Sequence, residues 1–108
     1  MEAPRPGRPV RGSTTGRPLM AALDLLGRRW ALRVLWELRE GPVGARALLG
    51  RCNGLSSSVL YERLRELDAA GLVQRDDQRW TLTALGADLG TAIAPLEAWS
   101  QRWARQSP

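Results

Sequence analysis

Ser56-Ser57-Ser58-Val59-Leu60-Tyr61-Glu62-Arg63-Leu64-Arg65-Glu66-Leu67, closed by Gly71 and followed at once by Leu72-Val73-Gln74-Arg75-Asp76-Asp77-Gln78-Arg79-Trp80-Thr81-Leu82, is the stretch that decides the fold. Val59, Leu60, Leu64 and Leu67 recur at helical spacing, so one face of a helix is apolar. Ser56 stands where a hydroxyl caps the free N–H groups of that helix, and Gly71 suits the left-handed position just past its end. Beyond Gly71 the side-chain period drops from about 3.6 residues to about 2. Leu72–Arg75 and Arg79–Leu82 then flank Asp76-Asp77-Gln78 as a short hairpin.

Working upstream, Ala45–Arg51 reads as a short helix carrying Leu48 and Leu49, with Asn53-Gly54 as a turn after it. Two helices joined by a tight glycine-bearing turn, with a small hairpin next, describe a winged helix-turn-helix: mainly α with one β-hairpin. In that arrangement the second helix buries one face and leaves the other free for a DNA major groove. The free set is Ser57, Ser58, Tyr61, Glu62 and Arg65, which can hydrogen-bond base edges or phosphates. A solvated face is what any amphipathic helix has; the hairpin at this distance is what favours DNA.

Further out, Leu19, Ala22, Leu23 and Leu26 form a helical stripe that Gly27 interrupts. Trp30, Val34, Leu35 and Leu38 continue on a second helix, stopped by Gly41-Pro42. Thr83 caps a last helix bearing Leu85, Leu89, Ile93, Leu96, Trp99 and Trp103, which Pro95 is expected to kink or divide near Thr91. Residues 18–108 thus make one domain. Residues 1–17, rich in Gly, Ser, Thr and Pro, read as a disordered basic arm.

The 108 residues include 18 leucines, enough for a core, and no run approaches a membrane span. Met1–Pro18 lacks the apolar segment of a secretory signal, which leaves the cytoplasm as the expected location. With one cysteine and no histidine, disulfide frameworks and histidine-based zinc sites or triads are excluded; no metal, cofactor or catalytic residue is expected. All 16 basic residues are arginine, and residues 1–17 hold +3 of the net +5. Arginine on a mobile arm suits a polyanionic partner, although lysine-free composition is also what GC-rich coding produces.

Gly27-Arg28-Arg29-Trp30, Leu35, Leu38, Gly41-Pro42, Leu48, Gly54-Leu55-Ser56, Leu60, Arg63-Leu64-Arg65-Glu66-Leu67, Gly71-Leu72-Val73 and Leu82-Thr83-Ala84-Leu85-Gly86 together resemble HxlR-type winged helix-turn-helix regulators of the MarR-like superfamily. The resemblance runs from Pro18 to about Trp99 and implies a dimeric prokaryotic transcription regulator with Ser56 opening the recognition helix. It also implies that both ends of the domain build the dimer. Three departures stand out: Arg17 occupies the place of the cysteine that many members carry before the first helix, Gly44-Ala45 replaces an Arg-Phe pair, and the wing is several residues shorter.

The candidate DNA-contacting residues are therefore Arg46, Ser56, Ser57, Ser58, Tyr61, Glu62, Arg63, Arg65, Arg75 and Arg79. Arg63 has an alternative in an ion pair with Glu66 or Glu62. Asp76 and Asp77 would repel phosphate at the hairpin tip, so Arg75 and Arg79 would reach it from the side. Cys52, where the pattern calls for an apolar residue, reads as a small buried hydrophobe rather than a reactive thiol. Trp30, Trp36 and Trp80 are assigned to the core. Leu19, Leu23, Leu26, Ile93, Leu96, Trp99 and Trp103 are assigned to a homodimer interface, because one small domain cannot bury that stripe alone. A flat aromatic ligand between paired tryptophans is the other use of Trp99 and Trp103.

The leading function is a homodimeric regulator binding a two-fold operator on double-stranded DNA, with an unidentified small-molecule effector. The competing one is a winged-helix protein-interaction module without DNA binding, which Tyr61, Glu62, Glu66 and the acidic hairpin tip would suit.

Overall fold

A computed structural model describes residues 3–108; Met1 and Glu2, counted above with the basic arm, lie outside the described residues. Pro18–Leu26 form helix α1, which Pro18 opens where a missing N–H costs least. Helix α2 runs Ala31–Glu37 and ends ahead of Gly41-Pro42. Trp30 sits at the start of α2 with φ 75°, a left-handed conformation rare for a bulky residue. A Cβ placed on Gly54 would lie 3.9 Å from its ring, so the start of α2 and the turn after the next helix are in contact.

Helices α3 (Ala45–Arg51) and α4 (Ser57–Ala69) form the helix-turn-helix. Ser56 caps α4, its Oγ accepting the Val59 N–H at 3.3 Å, and Gly71 follows the helix at φ 82°. Strands β2 (Val73–Asp76) and β3 (Arg79–Leu82) make the hairpin, with Asp77 at φ 60° in its turn. The sheet has a third strand that the sequence reading lacked. Val43–Gly44, β1, pairs antiparallel with β3, placing Val43 opposite Trp80 and Gly44 opposite Arg79, in the order β1-β3-β2. Two residues are too few to display a period of two, so only tertiary pairing reveals them.

The core lies where α2, α3 and α4 meet the sheet. Val34, Leu38, Leu48, Cys52, Leu60, Leu64, Leu67 and Val73 are fully buried there. Trp80 is buried and Trp30 packs against the cluster, as assigned. Trp36 is a correction: its ring is exposed, lying 3.7 Å from the Arg39 guanidinium in a cation–π contact. On α2 the inward row is Val34, Leu35 and Leu38, and Trp36 falls on the other side.

Thr83 caps α5 (Ala84–Ile93), accepting the Gly86 N–H at 3.1 Å. The chain then continues as α6 (Pro95–Gln106). The division comes at Ala94, three residues beyond the expected Thr91. Pro95 removes the N–H that would bond the Thr91 carbonyl, yet Ala94 keeps helical angles, so the division falls beside the proline rather than a turn earlier. Gly86 is a close-approach glycine: a Cβ there would stand 2.0 Å from the Leu72 carbonyl oxygen, which already accepts the Thr83 N–H at 3.0 Å. Residues 3–17 run as linked turns, with the Gly7 N–H on the Gly16 carbonyl, a Val10–Ser13 bridge, and Pro4 buried near α1 and α5.

Candidate nucleic-acid interface

The leucines of α4 set its polar face. With Leu60, Leu64 and Leu67 fully buried, residues 57, 58, 61, 62 and 65 turn outward, and Ser57, Ser58, Tyr61, Glu62 and Arg65 are all exposed. They share one surface, and among the described residues no carboxylate pairs with the Arg65 guanidinium. Ser56 is committed to the cap, and its Oγ also lies 3.3 Å from that of Ser58.

Arg63 is placed differently. Its Nη1 donates to Glu66 at 2.7 Å and approaches Glu62 at 3.5 Å, while its Nε donates to the Arg29 carbonyl at 2.8 Å. The side chain is 14% exposed, so the ion-pair reading describes it and the outward face excludes it. Glu66 accepts Arg28 on its other carboxylate oxygen, and Arg28 also approaches Asp24 at 3.9 Å. Sequence reasoning offered the Arg63 pairs with Glu66 and Glu62 but missed Arg28, since no spacing rule links residues 28 and 66. It also missed Arg29, which is exposed next to α4 while its neighbour Arg28 turns inward.

Arg46 is exposed on α3. Arg79 is exposed on β3, and Arg75 on β2 holds its guanidinium 5.6 Å from the Trp80 ring centre. Asp76 and Asp77 are exposed at the hairpin tip, so the flanking arginines stand beside an acidic point. The candidate DNA face is thus α4 with α3 and the hairpin, both of which pack against it, without Arg63.

Away from this face, Leu19, Leu23, Leu96, Trp99 and Trp103 are exposed, and the Trp99 and Trp103 rings stack at 5.5 Å and 15°. Leu26 and Ile93 are partly buried instead, Leu26 against the core and Ile93 in a cavity of about 720 Å³ between α2 and the α5–α6 junction. Cys52 is fully buried, and desolvation pushes its thiol pKa up, with smaller influences from Arg33, Glu37 and Arg51. Among the described residues no three potential ligands gather as a metal site, and no helix is long and apolar enough to cross a membrane.

Comparison with known proteins agrees with this architecture. Residues 25–108 match the HxlR-like helix-turn-helix family. The chain is 32% identical over 89 residues to the HTH-type transcriptional regulator YvaP of Bacillus subtilis, spanning 76% of this chain and 82% of YvaP. Its fold superposes on quinone-bound YodB of B. subtilis with a TM-score of 0.73 at 30% identity, covering 78% of this chain and 96% of the other. A MarR-family transcriptional regulator of Enterococcus faecalis matches with the same TM-score at 29% identity, over 82% and 86% of the two chains.

Proposed function

The chain belongs to the HxlR-like helix-turn-helix family of transcriptional regulators, and on that premise we propose that it is a homodimer reading a two-fold operator through α4. The observation that carries the proposal is the division of α4. Its leucine seam is fully buried, and the opposite face offers Ser57, Ser58, Tyr61 and Arg65 unobstructed beside the hairpin. In this reading α4 enters the major groove as recognition helix and Arg46 on α3 meets the backbone. Arg75 and Arg79 touch phosphate from the flanks of the acidic tip, and Arg5, Arg8 and Arg11 of the arm add backbone or minor-groove contacts.

Leu19 and Leu23 of α1, with Leu96, Trp99 and Trp103 of α6, form the dimer surface, with Leu26 and Ile93 at its inner edge. The site of action is the cytoplasm, where the DNA is. A small-molecule effector belongs to the proposal. YodB has been seen with quinone bound; here the lone thiol is buried and kept neutral, so Cys52 is a poor nucleophile for such an electrophile.

Selection of bound duplexes from random DNA by the purified full chain tests the reading. The expected product is an inverted repeat with half-sites about 10 base pairs apart or a multiple of that. No enriched sequence, together with no salt-dependent affinity for any duplex, would instead favour the protein-interaction module that Glu62 and the exposed Asp76–Asp77 tip suit.

A further inference from the structure

Arg28 and Arg29 are adjacent and chemically identical, and the fold separates them. Arg28 turns inward to Asp24 and Glu66. Arg29 stays exposed, and among the described residues no carboxylate pairs with its guanidinium. Its backbone is held from two sides. Arg63 of α4 donates its Nε to the Arg29 carbonyl at 2.8 Å, and the next residue, Trp30, is locked in a left-handed conformation with its ring against the Gly54 turn that leads into α4. The loop between α1 and α2 is thereby tied to both the middle of α4 and the turn before it.

We infer that this loop is a second DNA-backbone site, in which Arg29 binds a phosphodiester and Arg63 is the positioning residue that sets its place relative to α4. The inference rests on the proposed DNA-binding role of α4. A helix lying in a major groove has phosphates along both flanks, and a cation anchored beside the helix meets that rail whatever the bases are. Arginine suits the task because its guanidinium is always charged and binds phosphate with two parallel N–H donors. Arg63 has its own charge engaged by Glu66, so its contribution is to fix the loop rather than to touch DNA.

The test uses the full chain, Arg29→Gln and Arg29→Lys in gel shifts over a potassium chloride series, with the selected duplex and a scrambled one. Arg29→Gln is expected to weaken both duplexes by the same factor and to lower the slope of log affinity against log salt by about 0.9 for each copy bound. Arg29→Lys restores the slope, because it keeps the charge. An unchanged slope in Arg29→Gln, or a lysine variant no better than glutamine, overturns the site while leaving DNA binding intact. A wild-type chain without salt-dependent binding overturns the site and the DNA-binding reading together.

Discussion

Arg28 and Glu66 stand 38 residues apart in sequence, yet their charged groups are hydrogen-bonded, and the two side chains are only 11% and 12% exposed. Glu66 holds Arg63 on its other oxygen at 2.7 Å. One carboxylate therefore fastens the loop between α1 and α2 to the helix proposed to read DNA.

Removing that carboxylate takes the shortest ion pair from two nearly buried guanidinium groups and leaves Arg28 the longer approach to Asp24 and Arg63 that to Glu62. Glu66→Ala is expected to cost about 3 kcal/mol, in the range for breaking a buried ion pair. Urea denaturation would measure it. A loss near that of an exposed pair, below about 1 kcal/mol, would show that water replaces the carboxylate freely.

Gly86 and Gly90 lie on the same helix and should respond in opposite ways. A Cβ on Gly86 meets the Leu72 carbonyl oxygen at 2.0 Å, whereas nothing lies within 4 Å of one on Gly90. Gly86→Ala should destabilise by at least about 1–3 kcal/mol through overpacking. Gly90→Ala should stabilise by roughly 0.5–1 kcal/mol through helix propensity. Thermal melts of the two variants that move in the same direction would contradict the packing described.

Cys52 should be silent in oxidant sensing. Burial raises its folded pKa, so the thiol stays protonated where an exposed one begins to ionise. With the folded value above the unfolded one, this group's contribution to stability is intact below the unfolded pKa of about 8.5 and is lost as pH rises through the folded pKa. An aromatic disulfide reagent at neutral pH should label Cys52 only after denaturation. Cys52→Ala should keep the wild-type DNA affinity with or without mild oxidant; release of wild type alone on oxidation would refute this.

Arg65 should carry specificity and the arm affinity. Arg65→Ala is expected to lose about 1–3 kcal/mol on the selected duplex and to relax the preference at one position per half-site. Equal weakening on a scrambled duplex would make Arg65 a phosphate contact. Deleting residues 2–16 should weaken all sequences and reduce the salt dependence by up to about three ions per subunit. No effect would make the arm, whose Pro4 packs near α1 and α5, part of the domain instead.

The Trp99–Trp103 pair is expected to be buried between two copies. Sedimentation at micromolar concentration should show a dimer for the wild type, and Trp99→Ala with Trp103→Ala should shift it toward monomer. A wild-type monomer under those conditions would require another partner for the stripe.

What could be read in the chain itself was whatever local chemistry decides. The Ser56 cap, the Gly71 stop, the leucine seam of α4 and the hairpin around Asp77 depend on residues within a turn or two of one another, and all stand where the spacing placed them. Cys52 was legible for the same reason, as a small apolar group in an apolar register. Tertiary packing alone decided the rest. It paired the two residues of β1 with β3, and brought Arg28 to the Glu66 carboxylate that Arg63 holds from three residues away, while leaving Arg29 in solvent. An arginine has no preference along the chain for inside or outside. Whether Arg28 or Arg29 turns inward depends on which one a carboxylate from a distant segment reaches to compensate its charge, and that is settled only when the helices pack.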